Sequence, residues 1–312
     1  MTTPPSSPLL SLPGAVDGNG VDAGVAWHYG HPVAEQRRLE AGDGWVDLSH
    51  RDVLTLAGPD RLALLHAMST QHVERLEPGR WVEALILSPH GHVEHQLAGI
   101  DDGSVFTAHT EPGAGPALVE FLTTMRFMLR VEVAMAADVA VVYRADAGWS
   151  LLARAELVEL PERWGPPSGT WASEALRIAA GRPRAGLDTD VRTIPNEVGW
   201  IGSAVHLNKG CYRGQETVAR VHTLGRPPRR LTLLHLDGSV DRLPAVGAEL
   251  SLDGRAIGRV GSSARHHELG PIALALVKRS IAPDADLLAD GVAAAQEVIV
   301  DPDVGLHVRA RL

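Results

Sequence analysis

Apolar and polar positions follow three different rhythms along this chain. The first 24 residues show no period: Pro4, Pro5, Pro8 and Pro13 stand among Ser, Thr and Gly, which predicts a disordered tail over 1–24. From there to about residue 226, helical and alternating patterns interleave. HPVAEQRRLEAG (31–42) predicts a short helix, with Pro32 near its start and Gly42 just past its end. WVDLSH and DVLTLAG (45–57) alternate as strands, and Pro59 opens an amphipathic helix from Asp60 to about Met68. Residues 80–110 read as a meander that turns at Pro89-His90-Gly91 and again at Asp101-Asp102-Gly103. A helix over about 115–128 and a strand at 131–136 complete the order of a ferredoxin-like α+β module. DVAVVYR and WSLLARA follow as strands, RWGPPSG (163–169) as a loop, and 171–180 as a helix ending at Gly181.

From Arg230 onward the rhythm is that of short strands separated by Gly and Asp turns. RLTLLHLDG, AELSLDG, RAIGRVGSSAR, IALALVK, EVIVD and VGLHVRARL predict a small all-β barrel or sandwich, with a boundary at Gly225-Arg226-Pro227-Pro228.

Composition narrows the class. The chain has 312 residues, 45% hydrophobic and 21% charged, enough for two or three domains of ordinary globular make-up. No apolar run approaches the roughly 18 residues of a spanning helix, and no secretory leader is expected. One cysteine, Cys211, excludes an intramolecular disulfide and an all-cysteine metal site, and points to a reducing cytoplasm. The formal charge of −9 does not fit a DNA-binding surface. Against that acidic background Lys209, Arg213, Arg220, Arg226, Arg229 and Arg230 stand near a single acid, Glu216, so this stretch is expected to meet something anionic.

The densest chemistry lies in LNKGCYRGQE (207–216). Gly210 and Gly214 permit an irregular backbone ahead of a helix, placing Cys211 near a helix N-terminus between Lys209 and Arg213. Those surroundings favour a thiolate, against the alternative of an inert buried cysteine. His90, His92 and His95 in HGHVEH invite a metal reading, but His95 has the other strand parity, and no metal site is expected.

KGCYRGQE resembles the K-G-C-Y-x-G-Q-E motif of the YgfZ family of folate-binding proteins, relatives of the glycine-cleavage T-protein. The resemblance extends through ARVHTLGRPPRRL, through LRIAAGRPRAGLDTDVRTIPNEVGW (176–200) and through DLSHRDVLTLAGPDRLALLHAMSTQHV (47–73). It implies an α+β, T-protein-like three-lobed ring with tetrahydrofolate in a central channel. Its lobes are a discontinuous first α+β lobe (25–54 and 139–226), a second ferredoxin-like lobe (55–138) and a C-terminal β-barrel (227–312). In the T-protein pattern a glutamate binds the pterin, and its counterpart here is Glu197. The basic stretch would take the anionic glutamyl tail of the folate, and Trp200 would stack on the pterin. The resemblance thus implies a folate site drawn from Glu197, Trp200, Lys209, Tyr212, Arg213, Gln215 and Glu216, with Cys211 as the functional thiol.

One departure separates this chain from the T-protein. His95 and Gln96 stand where the resemblance would put the two aspartates of the catalytic strand, one of which orients aminomethyl transfer. The reading that follows is a cytoplasmic tetrahydrofolate-binding protein supporting iron–sulfur cluster assembly or repair, whose protein partners are assembly factors or clients, with the question of an enzymatic activity left open. The alternatives are a folate-dependent one-carbon transferase acting on a small amine or on tRNA, and a scaffold that no longer binds folate.

Overall fold

The computed structural model describes residues 4–305. Contrary to the expected tail, the N-terminal segment is folded. Pro8–Ser11 forms a 3-10 turn capped by the Ser7 hydroxyl, and Leu9 is buried among Trp45, Ala140, Val142, Leu157 and Leu160. Ser7 also bonds the Asp47 carboxylate. Proline-rich composition predicts disorder because it carries little apolar area, but a buried Leu9 and a capped turn hold the segment here.

After the short strands β1 (Val16–Asp17) and β2 (Ala26–His28) comes α1 (Pro32–Glu40), opened by Pro32 as its N-terminal position allows. β3 (Trp45–Asp47), β9 (Val139–Arg144) and β10 (Gly148–Ala153) form a three-stranded antiparallel sheet, so residues far apart in sequence share one layer. Between β3 and β9 lie β4 (Asp52–Ala57), α2 (Arg61–Met68), β5 (Trp81–Leu87), β6 (Val93–Asp101), β7 (Val105–Thr110), α3 (Gly115–Met125) and β8 (Glu132–Met135). Their strands form a second sheet, in the order β5-β6-β7-β4-β8. α4 (Leu160–Trp164) and α5 (Thr170–Ala179) follow β10.

The C-terminal strands are β11 (Arg229–Leu236), β12 (Glu249–Leu252), β13 (Arg255–His266), β14 (Gly270–Lys278), β15 (Leu287–Ala289) and β16 (Val292–Val298). They close into a barrel in the order β11-β14-β13-β12-β15-β16, filled by residues such as Leu234, Leu250, Val260, Ala275 and Val292. Closure leaves no strand edge open to water. The strand read at EVIVD begins earlier, at Val292, and Leu287–Ala289 supplies a strand that the alternation had not marked. Most of VGLHVRARL, with His307, lies outside the described residues.

The described residues divide into two compact units. One comprises the chain up to Ala84 together with His95–Leu176, the other Leu85–Glu94 together with everything from Arg177 onward. The tip of the β5–β6 hairpin therefore belongs with the C-terminal unit, which holds every residue of the candidate site.

Candidate functional site

The site is built on three pieces of the second unit: the 3-10 turn Pro195–Glu197, the helix α6 (Gln215–Leu224) and the hairpin tip. Two glycines join the last two. Gly91 has φ +83° and Gly214 has φ +79°, both in the left-handed region. A Cβ on Gly214 would lie 2.5 Å from the Ser88 carbonyl oxygen and 2.8 Å from Gly91 Cα, and one on Gly91 would lie 2.8 Å from Thr217 Cβ. Backbone thus meets backbone where the hairpin crosses the start of α6. The amide of Val93 donates to the Thr193 carbonyl (2.8 Å), and Arg213 reaches Glu94 (2.8 Å). Gly210, by contrast, faces open space.

The loop 209–212 is anchored at both ends and open between them. Lys209 and Tyr212 are buried, with the ammonium 5.3 Å from the ring centroid, an arrangement that suits a cation over a π-face. Gly210 and Cys211 between them are exposed. Burial draws the Lys209 amine down to about 8 and pushes the Tyr212 phenol up to about 12. Gln215 donates from its side-chain amide to the Lys209 carbonyl (3.5 Å), and Glu216 is exposed in the first turn of α6, where an acid suits the helix dipole.

Glu197 is fully buried, and Arg229 grips it with Nε–Oε1 at 2.9 Å and Nη2–Oε2 at 2.8 Å. The same guanidinium bonds Asp190 (2.5 and 3.1 Å), and the Ile194 amide donates to Glu197 (3.2 Å). Burial raises the Asp190 carboxyl, but bonds from Arg229, the Arg192 amide and Thr193 outweigh it and hold that carboxyl well below its usual range. For Arg229 burial favours deprotonation, and its bonds to Glu197 and Asp190 overcome that and raise it. Beside Glu197, Asn196 is buried. Its amide donates to the Val218 carbonyl (3.5 Å), while Oδ1 has no donor among the described residues. Trp200 is buried too. Its amide donates to the Pro195 carbonyl (3.2 Å), and its carbonyl accepts from Ala204 and Val205, which closes the turn.

The expected basic surface over 209–230 does not form. Lys209 is buried, Arg213 pairs with Glu94, and Arg229 is spent on Glu197 and Asp190. Arg230 points into the barrel end, bonding Gln296 (2.8 Å). Only Arg220 and Arg226 of that set are exposed. The run of positive residues in sequence is dispersed here: Arg213 and Arg229 pair with acids, and Lys209 and Arg230 turn inward. Arg229, Asp190 and Asn196 were absent from the expected site. A bidentate clamp between residues 32 positions apart has no local signature, and in sequence Arg229 is one member of a charge run.

His95 lies on β6 with its ring 5.9 Å from that of Phe121, and the Gln96 carbonyl accepts from Thr110 (2.7 Å). His90, His92 and His95 form no three-ligand group among the described residues.

Against solved structures, the chain matches the crystal structure of the glycine cleavage system aminomethyltransferase T from Bartonella henselae. The TM-score is 0.79, at 18% identity, over 95% of this chain and 96% of that one. The chain has the aminomethyltransferase T fold. In sequence it is similar to an aminomethyltransferase of Nostoc sp., 24% identical over 80% of each chain. It is also similar to the tRNA-modifying protein YgfZ of Yersinia enterocolitica, 40% identical over 77 residues, or 24% of this chain and 23% of that protein. A chloroplastic protein of Arabidopsis thaliana, assigned only provisionally to the transferases, is 35% identical over 31% of this chain and 21% of its own length. The two stronger identities are therefore confined to under a quarter of each relative. No protein-family model matches the chain. No helix of the described residues is long and apolar enough to cross a membrane.

Proposed function

We propose that this protein binds tetrahydrofolate and supports iron–sulfur cluster assembly or repair in the manner of YgfZ, with Cys211 as its functional thiol. The observation that carries the reading is the display of the chain's single cysteine. Cys211 is exposed on a short bridge whose flanking side chains, Lys209 and Tyr212, are both anchored in the interior. A thiol kept for packing would be buried, and a thiol in a loose loop would not be tethered on both sides. One cysteine cannot hold a cluster alone, so ligation through Cys211 draws further ligands from a partner or a small thiol.

The turn 195–197 suits a pterin in its hydrogen-bonding chemistry. A pterin edge offers N–H donors, and Asn196 Oδ1 is a buried acceptor lacking one. Glu197 has three donors for its roughly four lone-pair sites, leaving one for a ligand. Asn196 and Glu197 would hold the ring, and Arg229 would keep the carboxylate oriented. Bound tetrahydrofolate supplies a one-carbon carrier. Calorimetric titration of tetrahydrofolate is expected to show binding to the wild type, weakened about 10–100-fold in Glu197→Gln by loss of a charged acceptor. Absence of binding to the wild type removes the folate reading, and an unchanged affinity in Glu197→Gln removes that residue's role. In cells lacking the protein, Cys211→Ser is expected to leave iron–sulfur enzymes inactive. Full restoration would remove the thiol's role.

The similarity to aminomethyltransferases over four-fifths of the chain favours a second reading, a folate-dependent one-carbon transferase. Against it, neither His95 nor Gln96 offers the carboxylate that orients such a transfer. Folate-dependent aminomethyl transfer or formaldehyde release by the purified protein would decide for the transferase.

A further inference from the structure

We propose that His66, His72 and Glu74 form a site for a divalent transition metal, with zinc the best match to their chemistry. One nitrogen from each ring and one Glu74 oxygen lie within 4.8 Å of one another. Two imidazoles and a carboxylate are a borderline-hard donor set that suits zinc, and three protein ligands leave one tetrahedral position for water or a small molecule. Ligand atoms around zinc stand about 3.4 Å apart when each is about 2.1 Å from the ion. The three groups therefore need to close by little more than an ångström.

The chain holds the three groups on a firm base. His66 is on the last turn of α2, where Leu64 and Leu65 are fully buried and fix the helix against the core. That turn is the carbonyl end of the helix dipole, which favours a cation nearby. Ser69 and Thr70, which follow, are completely buried and keep the chain from fraying. His72 and Glu74 flank Val73, which is also completely buried. Val73 opens a turn, its carbonyl accepting from the Leu76 amide (3.1 Å), and with Val73 sunk both its neighbours are left exposed. The Gln71 side-chain amide ties the loop to the Glu83 carbonyl (3.0 Å). The His66 and His72 rings already lie 4.9 Å apart, centroid to centroid, tilted by 57° and not stacked flat. Only His72 and Glu74 are exposed, and these are the two groups that must rotate. The reading is independent of folate binding and of Cys211, because all three residues belong to the other compact unit.

The test uses untagged full-length protein freed of metal by chelation. Zinc chloride titrated by calorimetry is expected to bind at one equivalent per chain. Cobalt(II) is expected to give the visible ligand-field absorption of a tetrahedral site, bleached by zinc. His72→Ala and His66→Ala are each expected to weaken zinc roughly tenfold or more. His72 is exposed, so His72→Ala should melt with the wild type in chelator, whereas added zinc should raise the melting temperature of the wild type alone. No saturable zinc binding by the wild type, or an affinity in His72→Ala equal to that of the wild type, overturns the proposal.

Discussion

At the scale of the residue, the contrast between Cys211 and Lys209 is sharp: two positions apart, one side chain is in water and the other is not. Cys211 in the native protein is therefore expected to react stoichiometrically with a small thiol reagent, without denaturant. Cys211→Ser should shift the urea midpoint by no more than the equivalent of roughly 0.5 kcal/mol, as surface substitutions do. Slow labelling that speeds up only on unfolding would contradict this. Lys209 makes a pH-dependent prediction. Its amine, ordinarily at 10.5, sits at about 8 because burial disfavours the charged form. Between those two values the unfolded chain holds the proton and the folded chain does not, so this group adds stability as pH rises from about 8. Lys209→Met, which has no charge to bury, should therefore gain on the wild type most at pH 7, and the difference should shrink by pH 10. A difference independent of pH, measured by urea denaturation, would show that the amine is not desolvated.

At the scale of the element, the crossing of hairpin and helix is the contact most exposed to single changes. Gly91→Ala and Gly214→Ala each force a Cβ into neighbouring backbone or Thr217 at a positive φ, and each should cost roughly 1–3 kcal/mol. Gly210→Ala, with open space around it and no positive φ, should be nearly neutral. The same denaturation series checks all three. Arg229→Met should cost roughly 3–5 kcal/mol, because it strands the buried Glu197 carboxylate. Asp190 contributes in the usual carboxylate sense. Its folded pKa is depressed from 3.8, so its stabilisation is complete above about pH 4 and lost as the pH falls further. These features mark the limit of reading from sequence. The glycines of the motif were visible, but which of them is obligatory was not, since that depends on a hairpin more than a hundred residues away. Start and stop residues mark α1 and α5, and Gly and Asp turns mark most of the barrel strands, because these signals are local. They could not give the Arg229 clamp, which follows no repeat, or the burial of Lys209, which charge alone argues against.

At the scale of the whole molecule, the N-terminal segment is the clearest departure from composition. Deleting residues 1–12 removes Leu9 from its cluster and Ser7 from Asp47. It should destabilise the first unit by roughly 2–5 kcal/mol, read as a lower melting temperature. A fragment beginning at residue 177 should keep the barrel but lack the hairpin tip that Gly214 packs on. Hydrogen exchange on that fragment should find β11 and β14 protected and the 206–218 stretch open. Equal protection in fragment and full chain would show the tip to be dispensable. The borrowed tip also sets a schedule for synthesis. Translation at roughly 5–20 residues per second brings out Gly91 on the order of ten seconds before Gly214. For that interval the turn stands in water with its docking face not yet made, so Leu85–Glu94 is the stretch of the nascent chain that a chaperone would need to shield.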